Sequence, residues 1–307
     1  MSGKGFTHLH LHTQYSLLDG AIPAKRLIGR CQELGMDSVA VTDHGNLFGV
    51  VDFYSQAKAA GIKPILGIEA YIAPASRHDK GGGGGVKDNA YHLILLAENI
   101  AGYHNLLKLS SIGYTEGFYY RPRIDKEILA EHSEGLICTS ACIAGEIPAA
   151  LRRDDTEAAK KAVQSYLDIF GRDNYFLEIQ DHGDEDHAQI RVKMIDLARE
   201  MDVQLVATND VHFLNEDDYD AHDALCCINT GKKVADTERM KYPPTVFLKS
   251  PEQMRELFAD VPDACDNTLK IAERCNVEIE LGAQHAPVYH PEDGSTPEDF
   301  LKRLVYE

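Results

Sequence analysis

Three histidines stand at alternate positions near the start of the chain, in the stretch THLHLHT over residues 7–13. They are His8, His10 and His12. Alternate side chains of a β-strand point to the same face, so a strand here would present three imidazoles side by side. Neutral imidazole is the commonest protein ligand for transition metals. The pattern indicates either a metal site or the polar face of a half-exposed antiparallel strand, and the rest of the sequence must decide.

Further metal-binding side chains accompany the later apolar segments, which read as strands. The segments SVAVTDH, KPILGIEAYIAP, AYHLILLAEN, GLICTSAC, NYFLEIQDHG and VQLVATNDVHF each carry a His, Asp, Glu or Cys. Asp19 follows the histidine stretch, and the six segments carry Asp43, His44, Glu69, His92, Cys142, Asp181, His182, Asp210 and His212. All are side chains that bind divalent transition metals. Burying so many ionisable groups without metal would be costly, so the sequence predicts two or three ions and a bridging carboxylate.

The elements that must position these side chains alternate regularly along the chain. Seven units of an apolar segment followed by an amphipathic stretch run up to about residue 230. This order predicts an α/β fold with a parallel sheet, and runs such as HLILLA fit strands covered on both faces. Because active sites of α/β barrels lie at the strand ends, a closed barrel is favoured over an open doubly wound sheet. Five glycines, Gly81 to Gly85, predict a flexible loop within the third connection.

Composition limits the classes of protein to consider. The formal net charge is −18, which repels phosphate backbones, so action on nucleic acid would need bound cations or a further domain. The seven cysteines include no C-x-x-C pair, which disfavours a disulfide framework and a zinc ribbon. The N-terminus lacks an apolar signal core and no apolar run reaches the length of a membrane span, so we expect a cytoplasmic protein.

Four of these stretches resemble a known family. HLHLHT, TDHGNLFG, GIEAYIAP and TNDVHF are similar to motifs of the PHP (polymerase and histidinol phosphatase) domain. Over residues 5–282 the chain resembles, more narrowly, the N-terminal PHP domains of the alpha subunits of bacterial DNA polymerase III. THLHLHTQYSLLDG, FGRDNYFLEIQDHG and ELFADVPDACDNTLKIAERCNVEIELG carry this narrower likeness. The resemblance implies a distorted, TIM-like seven-stranded (β/α)7 barrel that holds a trinuclear metal cluster.

The resemblance also implies a full set of metal ligands. The nine matching positions are His10, His12, Asp19, His44, Glu69, His92, Cys142, Asp210 and His212. Glu69 would bridge two ions; one ion would be held by His10, His12 and Asp210, another by His92 and Cys142, and the third by Asp19, His44 and His212. Among these, His12, Glu69 and Asp210 are expected to matter most for catalysis. Zinc is the expected metal, with manganese and iron as alternatives.

Five residues near these positions match no ligand of the family. His8 is expected to support the ligands from behind or to pack in the core. Asp43, Glu178, Asp181 and His182 are expected to hold similar supporting or structural roles.

The chain is expected to contain one domain and the start of another. Residues 1–282 would form the PHP domain, with a barrel core over about 5–230 and a helical extension over about 248–280. Residues 283–307 resemble the entry into a polymerase region, and we read Ser295 and Glu298 as the capping box of its first helix. That helix stops at Glu307 without a cap, which indicates a chain cut from a longer protein. The polymerase carboxylates would lie beyond it, so we do not expect this chain to polymerise DNA.

Three functions are compatible with the sequence. The first is a metal-dependent phosphoesterase domain of a replicative DNA polymerase, acting as a 3′→5′ proofreading exonuclease. The second is a metal-bound but non-catalytic module that stabilises the polymerase and docks other subunits. The third is a stand-alone small-molecule phosphatase, which the polymerase-like tail disfavours. The expected partners are a DNA 3′ end, the rest of the polymerase chain, and replisome subunits such as a sliding clamp or a proofreading subunit, with no membrane.

Overall fold

A computed structural model describes residues 5–81, 90–283 and 286–306. The chain divides into two compact units, Met1–Val277 and Glu278–Glu307. The seven strands in the described residues are β1 Ser38–Val41, β2 Lys63–Ile72, β3 Tyr91–Ala97, β4 Arg123–Ile124, β5 Leu136–Thr139, β6 Tyr175–Ile179 and β7 Leu205–Ala207. Of the predicted glycine loop, only Gly81 lies within the described residues.

The helices of the first unit lie before β1, between most of these strands and after β7. They are α1 Ala24–Glu33, α2 Val50–Ala59, α3 Ile100–Thr115, α4 Lys126–Glu131, α5 Glu146–Arg152, α6 Thr156–Phe170, α7 Glu185–Met201, α8 Tyr219–Thr230, α9 Pro251–Leu257 and α10 Pro262–Arg274. In α1 the buried residues Ala24, Leu27, Ile28 and Cys31 form one apolar face. No helix in the part of the chain that the structure describes is long and apolar enough to cross a membrane.

The sheet is mixed, so the predicted all-parallel arrangement is wrong. Strand order is β1-β2-β3-β5-β6-β7, with β4 pairing with β2 beside this path. β3 runs antiparallel to both β2 and β5, whereas the other pairs are parallel. A parallel neighbour needs a crossover, usually a helix, and the described part of the connection from β2 to β3 contains none.

The histidine segment closes the sheet without being a regular strand. The amide of Ala40 in β1 donates to the carbonyl of His8 at 2.8 Å, and the amide of His12 donates to the carbonyl of Val211 at 2.8 Å. Residues 7–13 therefore lie between β1 and the segment that follows β7. The ladder is interrupted because the amide of Leu11 donates to the Thr42 hydroxyl, at 2.9 Å, instead of a backbone carbonyl. The sheet curls into a barrel-like α/β fold, and the predicted fold class is confirmed.

The helical extension belongs to the first unit. Ile271, Ala272 and Cys275, in and just after α10, join the main apolar core with Leu9, Ala40 and other buried residues. A capping box of Ser250 with Gln253 begins α9. The predicted domain boundary at residue 282 stays a prediction.

The second unit contains one helix, α11 Pro297–Tyr306. The amide of Asp299 donates to the Thr296 hydroxyl at 3.1 Å, and that hydroxyl donates to the Asp299 carboxylate at 2.9 Å. Thr296 with Asp299 thus takes the place of the predicted capping pair, Ser295 with Glu298. That prediction was wrong by one residue, since Ser295 contacts Asp293 instead.

Candidate metal centre

The nine predicted ligands come from elements spread over the whole barrel. His10 and His12 lie on the segment 7–13, and Glu69 and His92 on the paired strands β2 and β3. The remaining five follow the histidine segment, β1, β5 or β7, and are Asp19, His44, Cys142, Asp210 and His212. The sheet brings them together because its curvature directs these segments toward one space.

Glu69 lies at the centre of the cluster. Its Oε1 is 3.3 Å from His10 Nε2 and 2.8 Å from His92 Nδ1. Its Oε2 is 3.4 Å from His12 Nε2 and 2.5 Å from His44 Nδ1. The side chain is 1% exposed. One carboxylate thus faces four imidazoles, which is the arrangement that a bridging ligand requires.

Asp210 is a second carboxylate that several histidines contact. Its Oδ1 is 3.1 Å from His10 Nε2, 3.2 Å from His12 Nε2 and 3.5 Å from His212 Nδ1. The His212 ring also stacks on His12 with a centroid distance of 4.3 Å. Asp210 has a φ of +47°, a left-handed backbone conformation that residues other than glycine seldom adopt. Such strain persists where the surroundings over-determine it, and functional sites are common examples.

The last two ligand candidates complete the network. Asp19 Oδ1 lies 3.4 Å from His44 Nε2. Cys142 Sγ lies 3.7 Å from His92 Nδ1 and 3.8 Å from Glu69 Oε1. Every one of the nine residues therefore contacts at least one other.

The buried polar atoms of this cluster are not satisfied by the protein alone. Seven of them form no hydrogen bond of acceptable geometry, although most lie within ion-pair distance of one another: His10 Nε2, His12 Nε2, Asp19 Oδ1, His44 Nδ1, Glu69 Oε2, Asp210 Oδ1 and His212 Nε2. Buried polar atoms are normally paired, so such a concentration calls for a missing partner. Three overlapping sets have ligand atoms within 4.8 Å of one another: His12 with His44 and His212, His10 with His12 and Glu69, and His44 with Glu69 and His92. Divalent cations fit this donor set, and the ligand assignment itself stays a prediction.

The charges in the cluster depend on each other. Burial would raise the pKa of Glu69, but the adjacent imidazoles of His92, His44 and His10 hold it well below its usual range. Burial, together with the imidazoles of His44 and His212, lowers the pKa of His12 to about 3. His12 is therefore neutral near pH 7, with a lone pair available for a metal. Burial, and then the Glu69 and Asp210 carboxylates, raise the pKa of the Cys142 thiol, so a thiolate ligand would need a cation beside it.

Hydrogen bonds behind the ligands fix their orientation. Ser16 donates its hydroxyl proton to Asp43 at 2.7 Å, so its oxygen accepts the Nδ1 proton of His12 at 2.9 Å. This leaves the Nε2 lone pair of His12 facing Glu69 and Asp210. In the same way, Glu178 lies 2.8 Å from His10 Nδ1. Asp43 and Glu178 thus contact Ser16 and His10, and their role in supporting metal ligands stays a prediction.

The other three residues singled out in the sequence contact different groups. His8 Nε2 lies 2.9 Å from the carbonyl of Lys249, and its ring packs edge-on against Phe6. The His182 carbonyl accepts from the Thr245 hydroxyl at 3.2 Å, and the Asp181 carboxylate accepts from the Gly183 amide at 3.1 Å. Their roles are those of packing and local structure.

A cleft of about 680 Å³ opens beside the cluster. Its lining includes Asp19, His44 and His92 from the ligand set, three aromatic residues and three arginines. The aromatic residues are Tyr71, Tyr91 and Tyr242, and the arginines are Arg121, Arg152 and Arg153.

Among the residues that contact the ligands but were not predicted from the sequence are Tyr242 and Ser16. The Tyr242 hydroxyl donates to Asp19 Oδ2 at 2.8 Å, and the Tyr242 ring packs 4.3 Å from that of His212. Tyr242 lies 223 positions from Asp19, in a segment with no described helix or strand, so the sequence carried no signal for it. Ser16 was missed because a serine in a turn is usually a local capping residue.

Comparisons with known proteins agree with the motifs. The family model of the PHP domain matches residues 8–182. DNA polymerase III subunit alpha of Treponema pallidum is 44% identical over 308 residues, covering 100% of this chain and 26% of the relative. That of Borreliella burgdorferi is 47% identical, covering 98% of this chain and 26% of the relative. The chain therefore spans about a quarter of the length of these curated relatives.

A two-domain protein from Bacteroides vulgatus, containing a predicted PHP-like metal-dependent phosphoesterase, aligns with a TM-score of 0.43 at 14% identity, over 91% of this chain and 72% of that chain. On the match of its own residues 8–182, more than half of its length, the chain belongs to the PHP domain family.

Proposed function

We propose that this chain is the metal-dependent phosphoesterase domain of a replicative DNA polymerase and that it hydrolyses DNA from the 3′ end. The observation that carries the proposal is the meeting of nine potential ligands around Glu69, with seven unsatisfied buried atoms, beside an open cleft. The reaction class follows from the donor set, since clustered divalent cations suit phosphoester hydrolysis. The polymerase context rests on the relatives at 44% and 47% identity.

The proposed centre holds three divalent ions, zinc first, with manganese and iron as alternatives. His10, His12 and Asp210 would hold one ion, His92 and Cys142 a second, and Asp19, His44 and His212 the third, with Glu69 bridging two of them. Bound ions of this kind neutralise phosphate charge and activate water for attack.

The protein's own groups prepare the site. Ser16 and Glu178 hold the rings of His12 and His10 in one orientation, so the donor atoms need no rearrangement. Tyr242 fixes the Asp19 carboxylate at the edge of the cleft. The arginines of the cleft offer positive charge to an entering phosphate.

The proposed partners follow from the relatives and from charge. A chain with a net charge of −18 should bind DNA weakly by itself, so the polymerase region would present the 3′ end. In this proposal residues 1–282 form the PHP domain and 283–307 lead into that region. Contacts with other replisome subunits, such as a sliding clamp or a separate proofreading subunit, belong to the same proposal.

Burial favours a second candidate function. His10, His12 and Glu69 are almost inaccessible, with side chains exposed by 1% or less. Ions held there could serve stability only, in a non-catalytic module that docks partners. A stand-alone small-molecule phosphatase is not proposed, because relatives that match the whole chain are polymerase subunits.

A nuclease assay separates these candidates. Metal-analysed protein, with zinc or manganese added, is incubated with 3′-recessed and single-stranded DNA, beside His12→Ala prepared identically. Shortening from the 3′ end by the parent and none by His12→Ala would support the exonuclease. Equal background in both, with metal bound to the parent alone, would contradict catalysis and favour the docking module.

A further inference from the structure

We propose that Asn209 and Lys249 are positioning residues of the metal centre, because together they fix the backbone that presents Asp210. The inference rests on the proposed function, since it assigns these residues a role toward the ions that the ligands would hold. Neither residue is among the nine potential ligands. The proposal depends on the hydrogen bonds of the pair, on the segments that the pair joins, and on the strain of the residue beside it.

The side chain of Asn209 is fully buried and has partners at both ends of its amide group. Its Nδ2 donates to the carbonyls of Thr245 at 3.0 Å and Phe247 at 2.8 Å. Its Oδ1 accepts from Lys249 Nζ at 2.9 Å. Rotating the amide by 180° would turn its NH₂ donors toward a cation, so Lys249 fixes the direction in which Asn209 donates.

The ammonium group of Lys249 is buried among uncharged groups. Lys249 is 9% exposed, and its Nζ donates to Asn209 Oδ1 and to the Thr245 carbonyl and lies 4.7 Å from the centroid of the Phe247 ring. Burial of a cation costs free energy, and uncharged oxygens compensate this cost less fully than a carboxylate does. Stability alone therefore does not account for a lysine at this position.

The pair joins the two chain segments that supply four of the potential ligands. The carbonyl of Lys249 accepts a hydrogen bond from His8 Nε2 at 2.9 Å, within the histidine segment. The side chain of Lys249 reaches Asn209, which directly precedes Asp210. The ligands on these two segments are His10, His12, Asp210 and His212.

The backbone on the other side of Asp210 is also anchored to the segment that carries Lys249. The amide of His212 donates to the carbonyl of Val246 at 2.9 Å, and the amide of Leu248 donates to the carbonyl of Phe213 at 3.1 Å. These bonds fix the chain after Asp210, and the Asn209 amide fixes it before Asp210.

Asp210 lies between these two anchored points with a φ of +47°. Such a conformation persists in a residue other than glycine when the surrounding structure over-determines it. The carboxylate depends on this backbone, because its Oδ1 lies 3.1 Å from His10 Nε2 and 3.2 Å from His12 Nε2. Relaxation of the backbone would turn Oδ1 away from both imidazoles, so the Asn209–Lys249 pair should support metal affinity without contacting the metal.

Zinc affinity tests the Asn209–Lys249 pair directly. The whole chain is stripped of metal and titrated with zinc in competition with a fluorescent chelator. Asn209→Ala should weaken the apparent affinity at least about tenfold, the usual effect of losing a group that orients metal ligands. Lys249→Met, which keeps an apolar stem but lacks the ammonium, should act in the same direction. Because the two residues work as one unit, the double variant should bind zinc about as well as the weaker single variant.

A second buried pair of the same kind provides the matched control. Asn267, on α10, is 4% exposed; its Nδ2 donates to the Leu205 carbonyl at 2.8 Å, and its Oδ1 accepts from Lys270 Nζ at 2.9 Å. Leu205 is the first residue of β7, whereas the ligands follow the last. Asn267→Ala should destabilise the fold as Asn209→Ala does, but its zinc affinity should stay within about twofold of the parent's.

Cobalt(II) gives a second measurement that a loss of stability alone would not change. The visible absorption of bound Co²⁺ depends on the number and arrangement of its ligands. Asn209→Ala should alter this spectrum, whereas Asn267→Ala should keep that of the parent. Both spectra are recorded well below the unfolding midpoint of each variant, and Lys249→Met replaces Asn209→Ala if the latter does not fold.

Three outcomes would overturn the inference. They are parent-like zinc affinity in both Asn209→Ala and Lys249→Met, an equal loss of affinity in Asn267→Ala, and a parent that binds no zinc. DNA hydrolysis by the parent tests the proposed function separately. Hydrolysis with unchanged zinc affinity in both variants would remove the positioning role alone. Weakened zinc binding in the variants, with no hydrolysis by the parent, would support the positioning role and remove the phosphoesterase.

Discussion

Glu69 shows how one side chain can organise the chemistry of this site. A carboxylate with 1% exposure would be expected to take up a proton, because burial disfavours its charged form. The imidazoles of His92, His44 and His10 reverse that preference and hold the pKa of Glu69 well below its usual range. The site therefore keeps a buried carboxylate in its anionic form, which is the form that cations bind.

The support behind His10 can be tested by one substitution. Glu178 contacts His10 Nδ1 and accepts hydrogen bonds from Gln180 at 2.9 Å and from the Thr208 hydroxyl at 2.5 Å. Glu178→Gln should weaken metal affinity about 10- to 100-fold, because the ring loses its orienting carboxylate. Competition with a fluorescent chelator measures the affinity, and Glu157→Gln, at an exposed position, is the control. Unchanged affinity in Glu178→Gln would show that His10 is not held for metal binding.

A buried histidine outside the cluster predicts a pH effect on stability. Burial, and then the imidazole of His187, lower the pKa of His182 to about 3. The unfolded chain takes up this proton near pH 6.5, whereas the folded chain does so only near pH 3, so unfolding becomes easier as the pH falls between these values.

Between about pH 7 and about pH 4.5, the unfolding free energy of the parent should therefore fall by about 2 kcal/mol more than that of His182→Asn. Urea titrations at the two pH values, with chelator present, measure the difference. His104→Asn, at an exposed position, should change with pH as the parent does. A parallel pH dependence of His182→Asn and the parent would contradict the account.

Sequence reasoning located the potential ligands but not all the groups that orient them. The pattern of His and Asp at strand ends indicates metal chemistry because packing offers no other reason for it. Tyr242 and Ser16 carry no such signal, since hydroxyl groups are common in turns and loops and become important only through contacts that the fold creates. Local sequence cannot state which distant segments meet.

The histidine segment is the element on which the site depends. Residues 7–13 lie between β1 and the segment after β7, and they bring His10 and His12 next to Glu69 and Asp210. Leu9 and Leu11, which alternate with these histidines, are fully buried. The same seven residues thus supply both ligands and core contacts.

Leu9→Ala should destabilise the protein by about 2–5 kcal/mol, because it leaves a cavity in a packed core. Urea unfolding at neutral pH measures this loss. Leu17→Ala, at a position that is 68% exposed, should cost no more than about 0.5 kcal/mol. Equal stability of the two variants would mean that the histidine segment is not anchored by its leucines.

The direction of β3 and the irregular backbone of the histidine segment were both mispredicted, and for the same reason. Apolar periodicity indicates where strands lie, but strand direction depends on connections, and β3 reverses after a connection whose described part has no helix. The histidine segment is irregular because a side-chain hydroxyl, that of Thr42, replaces a backbone partner. Neither feature has a signature in hydrophobic pattern.

The stability of the whole molecule should depend on its metals. Ions that bind only the folded chain stabilise it by about 2.7 kcal/mol when free metal exceeds Kd a hundredfold. Adding a chelator should therefore lower the unfolding midpoint by about 5 °C or more, as measured by calorimetry. His12→Ala, which lacks a ligand in the proposed centre, should respond less than the parent. A midpoint insensitive to chelator would argue against resident metal.

Anomalous X-ray diffraction can locate the ions of the proposed metal centre. Crystals of the protein grown with zinc are measured on both sides of the zinc absorption edge. A trinuclear centre should give three peaks among the nine residues, each about 2.0–2.3 Å from its ligand atoms, with Glu69 between two of them. No peak within the cluster, or zinc only at surface histidines such as His78, would contradict it.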